Sequence, residues 1–140
     1  MSPIPQSLTP HQALICAMVF MAASGAHIDE VELNRMSGLV QDLPSFAGMP
    51  AGGIAEATEI CLPLLAATDG LDRAIDLIRE ALPPRLRETA YLLACDVAAA
   101  DGEATEEELV FLQSLRIGLE MDRLVAGAIE RAARARYQII

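Results

Sequence analysis

A chain of 140 residues, 53% of them hydrophobic, is one domain's worth of material with enough apolar mass for a core, which excludes an intrinsically disordered polymer. Twenty acidic residues stand against ten basic ones, all arginine, and the net charge of −10 excludes a phosphate backbone or an anionic lipid surface as a natural partner. The three cysteines, Cys16, Cys61 and Cys95, are far apart and form no CxxC pair, so three buried, unpaired thiols in a reducing compartment are expected.

Prolines interrupt the leader MSPIPQSLTP, and a first helix is predicted from about His11 to Ala23. The apolar run that overlaps it, Ala13 to Ala26, is about 14 residues long, short of the ~20 that span a bilayer. No lysine or arginine precedes Arg35, so the basic start of a secretory signal is missing. These features place the chain in the cytoplasm, without membrane insertion. A second helix is predicted over DEVELNRMSGLVQDL, with Asp29 as N-cap, Glu32 at N3, and an apolar stripe of Val31, Leu33, Met36, Leu39, Val40 and Leu43.

The segment PSFAGMPAGG, Pro44 to Gly53, reads as a loop whose Phe46 and Met49 pack inward. Helix three is predicted from about Ile54 to Ala67, kinked or split by Pro63 and ended by Gly70. Helix four, LDRAIDLIREAL, places Leu71, Ala74, Ile75, Ile78 and Leu82 on one face, and the Pro83, Pro84 pair ends it and opens helix five with Pro84 at N1. Helix five ends at Asp101, Gly102. Helix six starts behind Thr105 with Leu109, Leu112, Leu115 and Leu119 as its stripe, and helix seven is capped by Asp122 and closes on Arg131, Arg134 and Arg136. No strand is predicted, so the expected fold is all-α, a compact bundle of about seven helices.

Residues 14 to 39 and 91 to 115 are diverged copies of one pattern: a small-residue helix, a polar turn and a capped amphipathic helix. In register, Asp29 matches Thr105, Glu32 matches Glu108, Leu33 matches Leu109, Met36 matches Leu112 and Leu39 matches Leu115. The expected organisation is a single domain, 1–140, with hairpins over about 11–43 and 84–119, linking helices over 54–82 and a C-terminal helix over 122–138.

The stretch ACDVAAADGEATEEEL, residues 94 to 109, supports two readings. In the first it is punctuation: Gly102 ends one helix, Thr105 and Glu108 form a capping box for the next, and Glu106 and Glu107 suit the positive end of the helix dipole. In the second it is a site for a hard cation, because Asp101 to Glu108 reproduces the D-G-x5-E half of a calcium-binding loop. The other half is absent, since Val97 and Ala99 stand where further acids belong, and Asp96 and Asp101 lie about 140° apart on an ideal helix. Carboxylate ligands favour Ca²⁺, Mg²⁺ or Mn²⁺ over Zn²⁺.

The AADGEATEEEL run on a hairpin, preceded by a degenerate copy of that hairpin, resembles the TerB-like tellurite-resistance family, from about Pro10 to Tyr137. The resemblance implies an all-α fold of two hairpin repeats, a cytoplasmic bacterial protein of tellurite or envelope stress, and an acidic metal site. Carried over residue by residue, that site comprises Asp101 and Glu108, with Asp96 as a third member. The first hairpin departs from the pattern: Gly25, after Ser24, stands where the second has Asp101, leaving Asp29, Glu30 and Glu32 near that turn, with His27 as a substitute ligand.

An enzyme is the weakest class, because only His11 and His27 offer neutral-pH bases and no basic residue adjoins a cysteine in sequence to activate it. A non-enzymatic, cation-binding stress protein competes with an acidic interaction module or homo-oligomer that holds no metal. The Phe46, Met49 loop and the end YQII are the features that favour a protein partner or self-association.

Overall fold

Thr9 starts the first helix. Its hydroxyl accepts from the Gln12 amide at 3.2 Å while Gln12 Oε1 accepts from the Thr9 amide at 3.0 Å, and Pro10 takes the first helical position, where no amide hydrogen is needed. The computed structural model describes residues 3–25, 30–100 and 102–140, with the side chains of 30–33 outside that description. Helix α1 (Pro10–Ser24) is buried without interruption from Ala13 to Ala22, so it is apolar all round and runs through the centre of the molecule. It packs against α3 (Gly53–Ala66), α4 (Gly70–Ala81), α5 (Pro84–Ala100) and α6 (Glu106–Gly118), most extensively against α5.

Helix α2 (Glu30–Val40) turns Met36 and Val40 to the core, and α7 (Arg123–Arg136) lies on α5 through Ala126 and Ala133. Among the described residues the chain is seven α-helices and one 3-10 turn, Pro44–Phe46, with no strand. Alanines line the α1 and α5 contact, and Cβ-sized side chains let two helix backbones come close. Arg87 ties α4 to α5 by donating to the Leu82 and Arg79 carbonyls, at 3.0 and 3.1 Å, which satisfies acceptors that the end of α4 leaves open.

Several local expectations are corrected. Pro63 lies inside α3 without splitting it, and Gly70 opens α4 rather than ending α3, which stops at Ala66. A side chain at Gly70 would sit 1.6 Å from the Leu64 carbonyl oxygen, so this glycine is set by a close backbone crossing between α3 and α4. Leu71 and Leu109, expected on apolar faces, are exposed, while Leu77 and Phe111 are buried. Phe46 does pack inward: it stacks on His11 with ring centroids 5.7 Å apart, and His11 Nε2 donates to the Ser45 carbonyl at 2.9 Å. The expected cap at Asp29 and the Glu32 side chain lie outside the described residues, as does His27.

Candidate functional site

The turn between α5 and α6 is built from both backbone and side-chain constraints. Gly102 has φ of +105°, a left-handed value that glycine alone adopts without strain, and its amide donates to the Ala99 carbonyl at 3.1 Å. Thr105 then holds an extended conformation, its hydroxyl accepts from the Glu108 amide at 3.1 Å, and its own amide donates to Glu108 Oε1 at 2.8 Å. Both halves of the reciprocal cap are therefore made, and the punctuation reading of this stretch holds as far as it goes.

It does not account for the rest of Glu108. This residue is 4% exposed, unlike Glu106 and Glu107 beside it, which are solvated. Its second oxygen turns toward the end of α1: a Cβ placed on Gly25 would lie 3.1 Å from Oε2 and 3.4 Å from Cδ. Gly25 has φ of −85°, which any residue can adopt, so the backbone does not demand glycine there and the carboxylate takes the space instead. Gly25 is the repeat counterpart of Asp101, so the first hairpin's missing side chain makes room for an acid of the second. Phe20 and Phe111, stacked with centroids 6.3 Å apart, hold α1 and α6 together near this point.

The three sequence-derived ligands are distributed as follows. Glu108 lies where the end of α1 meets the start of α6, and Asp101 lies outside the described residues. Asp96 is buried on α5 and faces α7, with Arg136 Nε 3.5 Å from its Oδ1, an ion-pair distance without hydrogen-bond geometry. Burial raises the Asp96 carboxyl above the usual carboxylate range, and the Arg136 charge opposes that shift in part. Burial and the Asp96 charge likewise push the neighbouring Tyr137 hydroxyl up. Among the described residues, no three His, Cys, Asp or Glu side chains form a group able to hold a metal ion.

One further polar contact on the same seam was not legible in the sequence. Tyr91 donates to Glu130 Oε2 at 2.6 Å across α5 and α7, and burial, followed by the Glu130 and Asp96 charges, pushes the Cys95 thiol up to about 12. Partners 39 residues apart carry no spacing signal; only the packing of α7 on α5 brings them together. Cys16, Cys61 and Cys95 are all buried and unpaired, as expected, with the Cys16 thiol raised first by its contact with Cys61 and then by burial.

The family described as tellurite resistance protein TerB matches residues 11–129 of this chain. No curated protein and no solved structure matches it.

Proposed function

The chain belongs to the TerB family of tellurite-resistance proteins, and from that premise we propose that it is a non-catalytic stress protein that binds a divalent cation at the acidic turn that opens α6, beside the end of α1. Asp101 and Glu108 are the ligands, with Ca²⁺, Mg²⁺ or Mn²⁺ as the ion class because the donors are carboxylate oxygens. The observation that carries this reading is the buried Glu108 carboxylate, whose Oε2 turns to the end of α1. Oε1 is held by the start of α6, while Oε2 faces the C-terminal end of α1, which carries partial negative charge, so a cation beside Oε2 is attracted by both the carboxylate and that helix end. Glycine at 25 leaves that oxygen room at the end of α1.

Asp96 takes a supporting place in this proposal. Its pairing with Arg136 fixes the end of α7 over the helix that leads into the turn. The raised thiols support the non-catalytic reading, since a cysteine held protonated is a poor nucleophile. No helix among the described residues is long and apolar enough to cross a membrane, and we place the protein in the bacterial cytoplasm. Tellurite is an anion repelled by a chain of charge −10, so any service to tellurite resistance is indirect, through the cation or a protein partner.

Thermal denaturation of the parent, Glu108→Gln and Asp101→Asn, with and without millimolar Ca²⁺, Mg²⁺ or Mn²⁺, tests this. Glutamine keeps the capping box and asparagine keeps the turn, so both variants should melt near the parent without ions. The parent should gain about 2.7 kcal/mol when an ion reaches a hundred times its dissociation constant, and both variants should lose that gain. Equal shifts in all three proteins would remove the site and leave the stretch as helix punctuation.

A further inference from the structure

Helices α6 and α7 both pack on α5 but make no substantial contact with each other. Their separation leaves a groove of about 1020 Å³, floored by the C-terminal half of α5. Its sides are apolar, with Leu109 and Leu112 on the α6 side and Tyr137 and Ile139 on the other. Leu109 is 55% exposed and Ile139 is 93% exposed, so the apolar strip continues out of the groove onto the surface.

The exposed rims of the two edges carry opposite charge, since Glu130, which also lines the α7 side, is partly buried and accepts from the Tyr91 hydroxyl of α5. Glu103 borders the α6 side, and Glu106, one turn before Leu109, extends it; Arg134 borders the α7 side, and Arg131, one turn before it, extends that edge. All four are exposed, and none makes an ion pair among the described residues. Within one chain the acidic and basic edges stand apart across the groove. In a pair of chains related by a twofold axis parallel to the groove, the acidic edge of each lies over the basic edge of the other. The exposed apolar strips then cover one another, which is the self-complementarity an isologous interface requires. A uniformly basic or acidic partner helix would satisfy one edge and be repelled by the other.

We propose that the α6–α7 groove is the interface through which two copies of this chain dimerise about a twofold axis parallel to the groove. The proposal is independent of the cation site. Sedimentation equilibrium of the full chain from micromolar to millimolar concentration should show a reversible species of twice 15.0 kDa. Reversing the acidic edge (Glu103→Arg with Glu106→Arg) or the basic edge (Arg131→Glu with Arg134→Glu) should weaken association at least about tenfold. An equimolar mixture of the two variants should regain the parent's affinity as a mixed dimer. Leu109→Asp, which places a charge on the apolar strip, should be monomeric, and circular dichroism checks that all variants keep the parent's helix content. A parent that stays monomeric overturns the proposal, including one that instead binds anionic phospholipid vesicles or an arginine-rich amphipathic peptide. A dimer indifferent to both reversals overturns it too, as does a mixture that fails to recover, because the charges then do not pair across the interface.

Discussion

At Asp96, burial and an ion pair oppose one another, and burial prevails. The folded-state carboxyl is raised above its ordinary value, so the native protein holds its proton to higher pH than the unfolded chain does. Stability therefore falls as pH rises through the window between the two values, and the deficit is fully present at neutral pH. Asp96→Asn removes that titration. Urea denaturation at neutral pH should find the variant at least as stable as the parent, by up to about 1 kcal/mol. The difference should shrink once the pH is low enough to protonate Asp96 in both states; a variant clearly less stable at neutral pH would mean that Arg136 outweighs burial. Gly25 makes the opposite kind of prediction. The Cβ of Gly25→Ala would lie 3.1 Å from Glu108 Oε2, forcing the carboxylate to shift by a few tenths of an ångström. Its apo stability should change by about 1 kcal/mol or less, and its ion-dependent melting rise should be reduced, as in Glu108→Gln.

Among the elements, caps and close crossings matter more than helix propensity. Thr105→Ala removes the hydroxyl that accepts from the Glu108 amide, leaves the backbone amide that donates to Glu108 Oε1, and should cost about 1 kcal/mol, with Thr105→Ser nearly neutral. Two helical glycines should respond with opposite signs to alanine. At Gly118 a Cβ would sit 2.1 Å from Ile75 Cγ2, so Gly118→Ala overpacks the α4 and α6 contact and should cost ~1–3 kcal/mol. At Gly127, exposed on α7 with nothing within 4 Å of the added carbon, the same change should stabilise by about 0.4–1 kcal/mol. Denaturant titration of both variants measures the contrast. Pro63 is expected from the sequence to kink or split helix three, and the split does not occur: proline forfeits one helical hydrogen bond, but α3 packs on α1 and α4 and continues through it.

For the molecule as a whole, α1 is the organising element, buried along nearly its entire length and touching four other helices. The thiols report on the integrity of that core. Cys16 and Cys61 are fully buried between α1 and α3, and Cys95 is 4% exposed beneath the α6–α7 groove. A bulky thiol reagent should label none of the three rapidly in the native protein and all three in urea. Labelling of Cys16 and Cys61 should follow global unfolding, whereas Cys95 should react first wherever α7 lifts from α5. Rapid stoichiometric labelling of native Cys16 or Cys61 would contradict the core described here.

The sequence by itself determined what depends on neighbours within a turn or two. The all-α class, the Thr105 cap with Glu108 at N3, Asp122 ahead of α7 and the burial of the cysteines follow from periodicity, hydrogen-bonding partners three residues apart and apolar context. Membership of the TerB family was also legible, because its hairpin run and degenerate copy are stretches of contiguous residues. Only the tertiary structure decided which acids are buried and what they face. Asp96 meets Arg136 forty residues later, Glu108 fills the space left by Gly25, and Leu109 turns from the expected core to the rim of a groove. Those outcomes are set by how α7 and α1 lie against α5 and α6, and a helical period fixes which residues share a face without fixing which neighbouring helix, or which solvent, that face will meet.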